Sequence, residues 1–442
     1  MTEMQQKIAS LRIDSVEKID VAQAVAFSRD TSTVFAEEHE ETPIEYAKGR
    51  KVQPWGSSNM LPYRILDLIR ADETMTTCQT FNAETMYGGG LMYNTESCDE
   101  TVRDEVRTFA ENNPLPSVYF GCCQDLKHFE FAVAVLMLNA EGNRVVKIVR
   151  KEAVNCRFST ATKEGRIERV VYGDWKHYPE RDVAFEEIEL LSTDSPLDDL
   201  RKRVEKTKVR KYAVLMKIPT PENMYYPIPA YGSLFRSGWY NIKHDIAVAK
   251  RAALKNHAAI KYHIEVSDRY WENLFEAEHI TDRSKMQERV DEKKREFVEF
   301  LTGAENSGRA LFSEKLMTPD GKEISEVTIK KIDSEKQGGD WEQDIQESVN
   351  IMCFTMGVHS NLVGSVPGKA QTNNSGSDKR ELYTIAQLRQ KPYHDFLFLP
   401  HQVTMAYNGW KGAYAECPLL MLTTLDEHKD YKTVSQEKAE EQ

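Results

Sequence analysis

One helix and the punctuation that follows it constrain this chain more than any other stretch. From Asp340 the residues Trp341, Ile345, Val349, Met352 and Met356 recur at steps of three and four, the spacing of a single buried helical face. Asp340 and Gln343 stand in capping-box relation, and Gly357 supplies the stop. Then come Val358-His359, the short apolar loop Leu362-Val363-Gly364, and a polar linker with Asn373, Asn374, Ser375 and Gly376. A second helical region runs from about Ser377 through Leu399, breaks at Asn408-Gly409 and gives way to a polar tail, Asp426 to Gln442.

Ahead of it lie two longer helical runs. Over Gly232 to Asn256 the residues Trp239, Ile242, Ile246, Ala249 and Ala253 form one thin, alanine-rich stripe suited to close packing against a neighbouring helix. Lys243, Lys250, Arg251 and Lys255 lie off that stripe. The second run, Asp282 to Leu301, carries Met286, Val290, Phe297, Phe300 and Leu301, with Asp291 and Arg295 at the favourable i, i+4 spacing. Between them sit a β-like piece, Ile260 to Val266, and the apolar pairs Tyr270-Trp271 and Leu274-Phe275. Gly303 to Gly339 reads as loop and strands, with a turn over Thr318 to Lys322 and a strand over Val327 to Ile332. An ordinary helical hairpin with a β insertion would show the same pattern.

The N-terminal half mixes helix and strand. Residues 1–48, with the acidic cluster Glu37, Glu38, Glu40 and Glu41, read as an extension, in part disordered or laid on a neighbour. Order is expected from near residue 50. Pro54-Trp55-Gly56 and Asn59 make a turn; Ile65, Leu68 and Ile69, then Met75, Cys78 and Phe81, mark two helices that Gly88-Gly89-Gly90 stops. Phe129 to Leu138 is a buried strand or helix. Val145 to Val149, Ile167 to Tyr172 and Ala213 to Ile218 are short strands set off by turns, which predicts a small antiparallel sheet. Pro219, Pro221, Pro227 and Pro229 mark a boundary before the first long helix. The fold class expected is α+β.

Sites for chemistry are scarce. Gly364-Ser365-Val366-Pro367-Gly368-Lys369-Ala370 is a near miss to a phosphate-binding loop: its glycines are too close, alanine replaces the magnesium-holding hydroxyl, and it follows a helix instead of a strand. Gly88 to Gly90 ends a helix, whereas a dinucleotide fingerprint opens one. None of the seven cysteines makes a C-x-x-C pair, and adjacent Cys122-Cys123 beside His128 lacks zinc spacing, so the expectation is buried structural thiols and no metal. No catalytic residue and no cofactor is expected. No apolar run approaches the ~20 residues of a spanning helix, and the N-terminus lacks a signal-peptide layout, which places the chain in the cytoplasm of the cell that makes it. Net charge is −12 and mean hydropathy −0.57. Such a surface cannot grip nucleic acid by neutralising phosphates, though it would let a polyanion slide.

In this order the features resemble those of tailed-bacteriophage portal proteins: the Trp55-Gly56…Asn59 turn, two helices and a glycine stop, then the Gly357-Val358-His359 turn, the Leu362-Val363-Gly364 loop and the Asn/Ser-rich linker. The resemblance covers about residues 50–410. The chain departs from the commoner pattern in His359, where proline is usual, and in the dense Pro/Tyr stretch before the first long helix. The resemblance implies a homo-oligomeric ring, usually of twelve subunits, at one capsid vertex of a virion or prophage-encoded particle, assembled in the host cytoplasm. The ring would be the DNA channel for packaging and ejection and would dock terminase, head–tail adaptor proteins, and capsid and scaffold proteins. It would touch double-stranded DNA only transiently and would meet no membrane. The implied plan is an arm (1–48), the first part of a wing (49–231), stem helix, clip and stem helix (232–304), wing with channel loop and long helix (305–376), and a crown with polar tail (377–442). On it, Lys243, Lys250, Arg251 and Lys255 become candidates to face the channel, and Tyr270, Trp271 and Phe275 to meet a partner at the clip. Two alternatives are another phage head or connector structural protein and a nucleotide-dependent packaging enzyme.

Overall fold

The computed structural model describes Thr31, Val34 and residues 42–221, 224–257, 262–302, 315–317, 323–325, 327–331, 339–363 and 376–420. Most of the expected arm, the Thr318–Lys322 turn, the Gly364–Ala370 loop, the Asn373–Ser375 linker and the Asp426–Gln442 tail lie outside the described residues. The fold is α+β, in two compact units. A large unit takes in Arg29–His244 and Glu342–Gln442, and a small unit takes in Asp245–Trp341.

The large unit opens on an antiparallel hairpin, β1 (Ile44–Ala47) and β2 (Arg50–Val52), whose Ile44, Tyr46 and Val52 pack with Trp175 and Phe185. Order therefore begins ahead of residue 50. The Trp55 turn closes as expected, with Asn59 Oδ1 accepting the Trp55 N–H at 3.0 Å. Helices α1 (Leu61–Arg70) and α2 (Glu73–Tyr87) follow. Gly88, at φ +52°, ends α2 where a side chain would meet the Cys417 sulfur at 2.9 Å. Next come β3 (Met92–Asn94), α3 (Glu100–Glu111) and α4 (Leu115–Phe129).

Then the main sheet forms from β4 (Phe131–Leu138), β5 (Val145–Lys151), β6 (Cys156–Phe158), β7 (Arg169–Tyr172), β8 (Glu186–Leu190) and, after α5 (Pro196–Lys206), β9 (Lys211–Lys217). Its order is β5-β4-β9-β8-β7-β6. The sheet is six-stranded and mixed, not small and antiparallel, because β8 and β9 run parallel across the α5 crossover. Both faces are covered, which is why β4 reads as the unbroken apolar run FAVAVLML. Phe131, Val133 and Val135 enter one core, and Ala132, Ala134, Leu136 and Leu138 the other, the period of two that a pleated strand imposes. Arg157 on β6 is fully buried yet meets no carboxylate in its bonding set. It donates to the carbonyls of Asn59 (2.8 Å), Val154 (2.9 Å) and Cys156 (2.8 Å) and lies between the rings of Trp55 and Trp175. It locks the Trp55 turn to the sheet.

The helix expected over Gly232–Asn256 is two: α6 (Gly232–Arg236) and α7 (Trp239–His257), parted at Gly238, whose φ of +81° no helix accommodates. The division between the two units falls inside α7, after His244.

The small unit holds β10 (Tyr262–Val266), α8 (Asp268–Ala277), α9 (Arg283–Thr302), β11 (Lys315–Met317), β12 (Glu323–Ser325) and β13 (Val327–Lys331). β10 pairs antiparallel with β13, and β11 with β12. Ser267 caps α8. Trp271 and Phe275 of α8 and Met286 and Val290 of α9 form the core of this unit.

The chain re-enters the large unit through α10 (Gly339–Thr355), α11 (Ser360–Val363), α12 (Gly376–Leu388), α13 (Lys391–Leu397), α14 (Leu399–Asn408) and β14 (Tyr414–Glu416). The expected stripe is seen from Ile345 on: Val349, Met352 and Met356 are buried beside Phe131 and Val133, with Ile345 packed against them, while the side chain of Trp341 lies outside the described residues. Gly357 (φ +69°) ends the run, and Gly409 (φ +75°) ends α14. β14 pairs with β3 and ties the end of the described chain to its first third.

Candidate functional site

The basic residues of α7 separate into two kinds. Lys243 is buried, with 6% of its surface exposed, and Asp72, at the head of α2, is wholly buried. Asp72 Oδ1 accepts the Met75 N–H at 2.8 Å, the bond that caps α2. Its Oδ2 accepts from Lys243 Nζ at 2.8 Å, and His244 Nε2 lies 3.2 Å away, within ion-pair reach but off the axis of a good hydrogen bond. Lys243 also donates to Thr74 Oγ1 at 2.8 Å and reaches Glu73 at 2.9 Å. Burial works to raise the Asp72 carboxyl. Contact with His244, the charge of Lys243 and the Met75 N–H outweigh it and hold the group below the usual carboxylate range. Tyr240 adds a bond from its hydroxyl to the Leu68 carbonyl at 3.0 Å.

This cluster corrects the expected stripe. Tyr240 and Lys243 face inward with Ile246, while Ile242, assigned to the packed face, is 42% exposed. Lys243 is thus an internal ion-pair partner and not a surface cation. Lys250 and Arg251 are exposed. The side chain of Lys255 lies outside the described residues.

The aromatic candidates of α8 divide in the same way. Trp271 and Phe275 are core, with rings stacked at 6.1 Å, and only Tyr270 keeps part of its ring at the surface. The resemblance made them clip contacts; their i, i+4 spacing instead gives so small a unit its core. Outside that core, Arg289 of α9 holds Glu278 (2.8 Å) and Glu292 (2.6 Å) in an exposed network. Asp291 pairs with Gln287 at 3.2 Å and Lys294 at 3.7 Å, on the face where Arg295 was the expected partner.

Sequence reasoning missed the most exposed apolar group. Phe354 on α10 is 85% exposed, and Ile385 and Leu388 on α12 are 54% and 57% exposed. The signal was present: Phe354 falls two residues past Met352, off the buried stripe of a well-delimited helix. Phe354 lines a pocket of about 170 Å³ with Lys127, Glu130, Arg389 and Tyr393. There the Lys127 ammonium sits 3.4 Å from the centre of the Tyr393 ring, and burial lowers it to about 8. A second concavity, about 580 Å³, opens between α3, the start of β5 and the end of α14, with Phe109 and Trp410 in its wall and Glu100 and Asp104 among its acids.

Among the described residues no group of three or more His, Cys, Asp or Glu side chains could hold a metal ion, and no helix is long and apolar enough to cross a membrane. Six cysteines are buried and Cys417 is half-buried. Cys78 and Cys353 bring their sulfurs to 3.9 Å where α2 meets α10.

No family model and no curated protein matches the chain. Solved structures do. A chain in the virion of a native gene transfer agent particle superposes with a TM-score of 0.53 at 11% identity, covering 93% of this chain and 92% of that one. One from the neck of an empty gene transfer agent particle, computed with C6 symmetry, gives 0.54 at 11% identity, over 90% and 94%. Another, from the neck of a native particle computed with C12 symmetry, gives 0.55 at 12% identity, over 91% and 92%. At such identities the likeness establishes the fold: over about nine-tenths of its length this chain is folded like a chain from the neck of a gene transfer agent particle.

Proposed function

We propose that this chain is a portal subunit, a structural and non-catalytic component that forms a homo-oligomeric ring at one vertex of a phage capsid. What carries the reading is the fold shared with neck chains over at least nine-tenths of both lengths, together with the order of turns and helices that resembles portal proteins. Necks computed with C6 and C12 symmetry favour a connector ring over a shell-forming subunit, and a dodecamer fits the second of them.

On this reading residues 49–231 with 305–376 contribute the wing, α7 and α9 the stem, and the segment between them the clip that meets terminase and adaptor proteins, with Tyr270 as its exposed aromatic. Residues 377–442 contribute the crown, and 1–48 the arm. The channel loop falls within 306–339. Lys250 and Arg251, with Lys255, are the cations placed to touch DNA in passing. A net charge of −12 per subunit keeps that contact weak, since a ring of such subunits repels the phosphate backbone and lets it move during packaging and ejection. Virion location and capsid and scaffold partners follow from the same role.

Light scattering of the purified chain tests it. A mass many times 50.8 kDa at micromolar protein is expected; a monodisperse monomer under those conditions would overturn the reading.

A further inference from the structure

Cys78 on α2 and Cys353 on α10 stand 275 residues apart in the chain, yet their sulfurs lie 3.9 Å from each other inside the large unit. Cys78 is wholly buried and Cys353 nearly so. The two helices are held in register here. Asn82, one turn past Cys78, donates at 3.0 Å to the carbonyl of Met356, about one turn past Cys353. Met75 and Met352 belong to the same core. A disulfide closes at about 2.05 Å, so the sulfurs need to approach by about 1.9 Å. Rotation of the two side chains covers much of that gap without parting the helices.

The surroundings make the two thiols unequal. The Cys78 S–H donates to the Cys353 sulfur, and the charge of Lys243 acts on the same atom. Together they outweigh burial and hold Cys353 below the usual thiol range. The same contact, with burial, pushes Cys78 up. Cys353 is therefore the better nucleophile of the pair. It also sits just under the surface, next along α10 to Phe354, which is 85% exposed.

We propose that Cys78 and Cys353 are a redox staple: two thiols while the chain is made and assembled in a reducing cytoplasm, one disulfide in the particle outside it. The bond joins the two segments of the large unit, Arg29–His244 and Glu342–Gln442, across the excursion into the small unit. The timing rests on the ring reading, because a released particle passes from reducing to oxidising surroundings; the bond itself does not. The oxidant is a peroxide. The Cys353 sulfur attacks one peroxide oxygen, the O–O bond breaks, and the leaving hydroxide takes the thiol proton as water, which gives a sulfenic acid. The Cys78 sulfur then attacks the Cys353 sulfur. Its proton and the sulfenic hydroxyl leave as a second water, and the S–S bond forms. In all, two thiols give up two electrons and two protons, and one hydrogen peroxide becomes two waters.

Thiol mapping of the purified full chain tests it. The chain is kept in excess reduced glutathione or treated with hydrogen peroxide, free thiols are capped with N-ethylmaleimide, and the digest is read by mass spectrometry. Peroxide should give a disulfide-linked pair of peptides containing Cys78 and Cys353, and glutathione should leave both as capped thiols. The unfolding midpoint of the oxidised chain should lie above that of the reduced chain by about 3–7 °C, since the bond closes a long loop in the unfolded state. Cys353→Ser should lose both the link and the rise. Each variant is compared with its own reduced form, so any cost of the serine cancels; if the serine prevents folding, the wild-type map and midpoints decide alone. Thiols at 78 and 353 that stay reduced, link elsewhere or go on to sulfinic acid, or an oxidised midpoint no higher than the reduced one, would overturn the staple and leave the ring reading standing. A chain that forms the link but never assembles overturns the ring reading and the timing with it.

Discussion

Removing the ammonium that neutralises Asp72 should be the most damaging single shape-conserving change at the root of α7. In Lys243→Met the aliphatic stem is kept and the charge is lost. Asp72 is then left wholly buried with the Met75 N–H and His244 as partners. Breaking a buried ion pair by deleting one partner costs about 3–5 kcal/mol, mostly the penalty of the stranded charge. The Glu73 contact adds little, because that carboxylate is 78% exposed. A cooperative unit of about 300 residues has a melting entropy near 0.6 kcal/mol/K, so the midpoint should fall by about 5–8 °C. Two further signatures separate this cause from lost packing. Asp72→Asn added to Lys243→Met removes the stranded charge and keeps an N-cap side chain, so the double variant should be more stable than Lys243→Met alone. The pH dependence has a fixed sign. The Asp72 carboxyl is held below its unfolded value of about 3.9, so its contribution is complete above that pH and is lost as pH falls through the folded value. The gap between wild type and Lys243→Met should therefore narrow as pH falls, first as the variant's stranded Asp72 carboxyl, which burial pushes up, takes a proton, and then below about pH 4 as the wild-type carboxyl does. Differential scanning calorimetry at pH 7 and urea titrations from pH 7 to 3 supply the measurements. A midpoint within about 1 °C of wild type, or a double variant no better than the single, would refute the reasoning.

Other residues carry equally specific expectations. His401 is buried with its Nδ1 2.7 Å from the Tyr93 hydroxyl, and burial pushes it down to about 3, so an unfolded chain binds a proton there below about pH 6.5 that the folded chain excludes. Stability should decline by about 1.4 kcal/mol per pH unit through this one group between those values, and urea titrations of His401→Gln should show the slope reduced by that amount. Gly409→Ala, where a side chain meets nothing within 4 Å, isolates the dihedral cost of a left-handed residue, about 1 kcal/mol. Gly357→Ala should cost more by chemical denaturation, because its methyl would lie 2.8 Å from the Arg389 guanidinium, which donates to the Gly357 carbonyl. Trp271→Ala empties the centre of the small unit's core at about 3–5 kcal/mol. Limited proteolysis should then cut within residues 262–302 while the melting of the large unit is unchanged.

How much of this was legible in the sequence depended on how local the cause was. The Asp340 helix and the Gly88 and Gly357 stops were readable because stripe and stop are written within a few turns. β4 was readable as a buried segment because both its faces are covered. β8, Glu186-Glu187-Ile188-Glu189-Leu190, escaped: three glutamates mask a strand in which only Ile188 and Leu190 turn inward. The break at Gly238 was missed because the helix was begun at Gly232, although its apolar stripe begins only at Trp239, one residue past the glycine. Lys243 was misplaced because nothing near it announces burial; its partner Asp72 lies 171 residues away in the chain. Trp271 and Phe275 were assigned to a partner because the resemblance puts them in the clip, and only the facing residues Met286 and Val290 show that they are core. Phe354 could have been found by asking which apolar residue a good stripe leaves out.

End-on images of the purified chain by negative-stain electron microscopy test the central claim most directly. The account predicts closed rings with rotational symmetry, twelvefold by the comparison with C12 necks, around a stain-filled central opening wide enough for duplex DNA. Isolated particles the size of one subunit, or symmetric clusters with no opening along the axis, would contradict it.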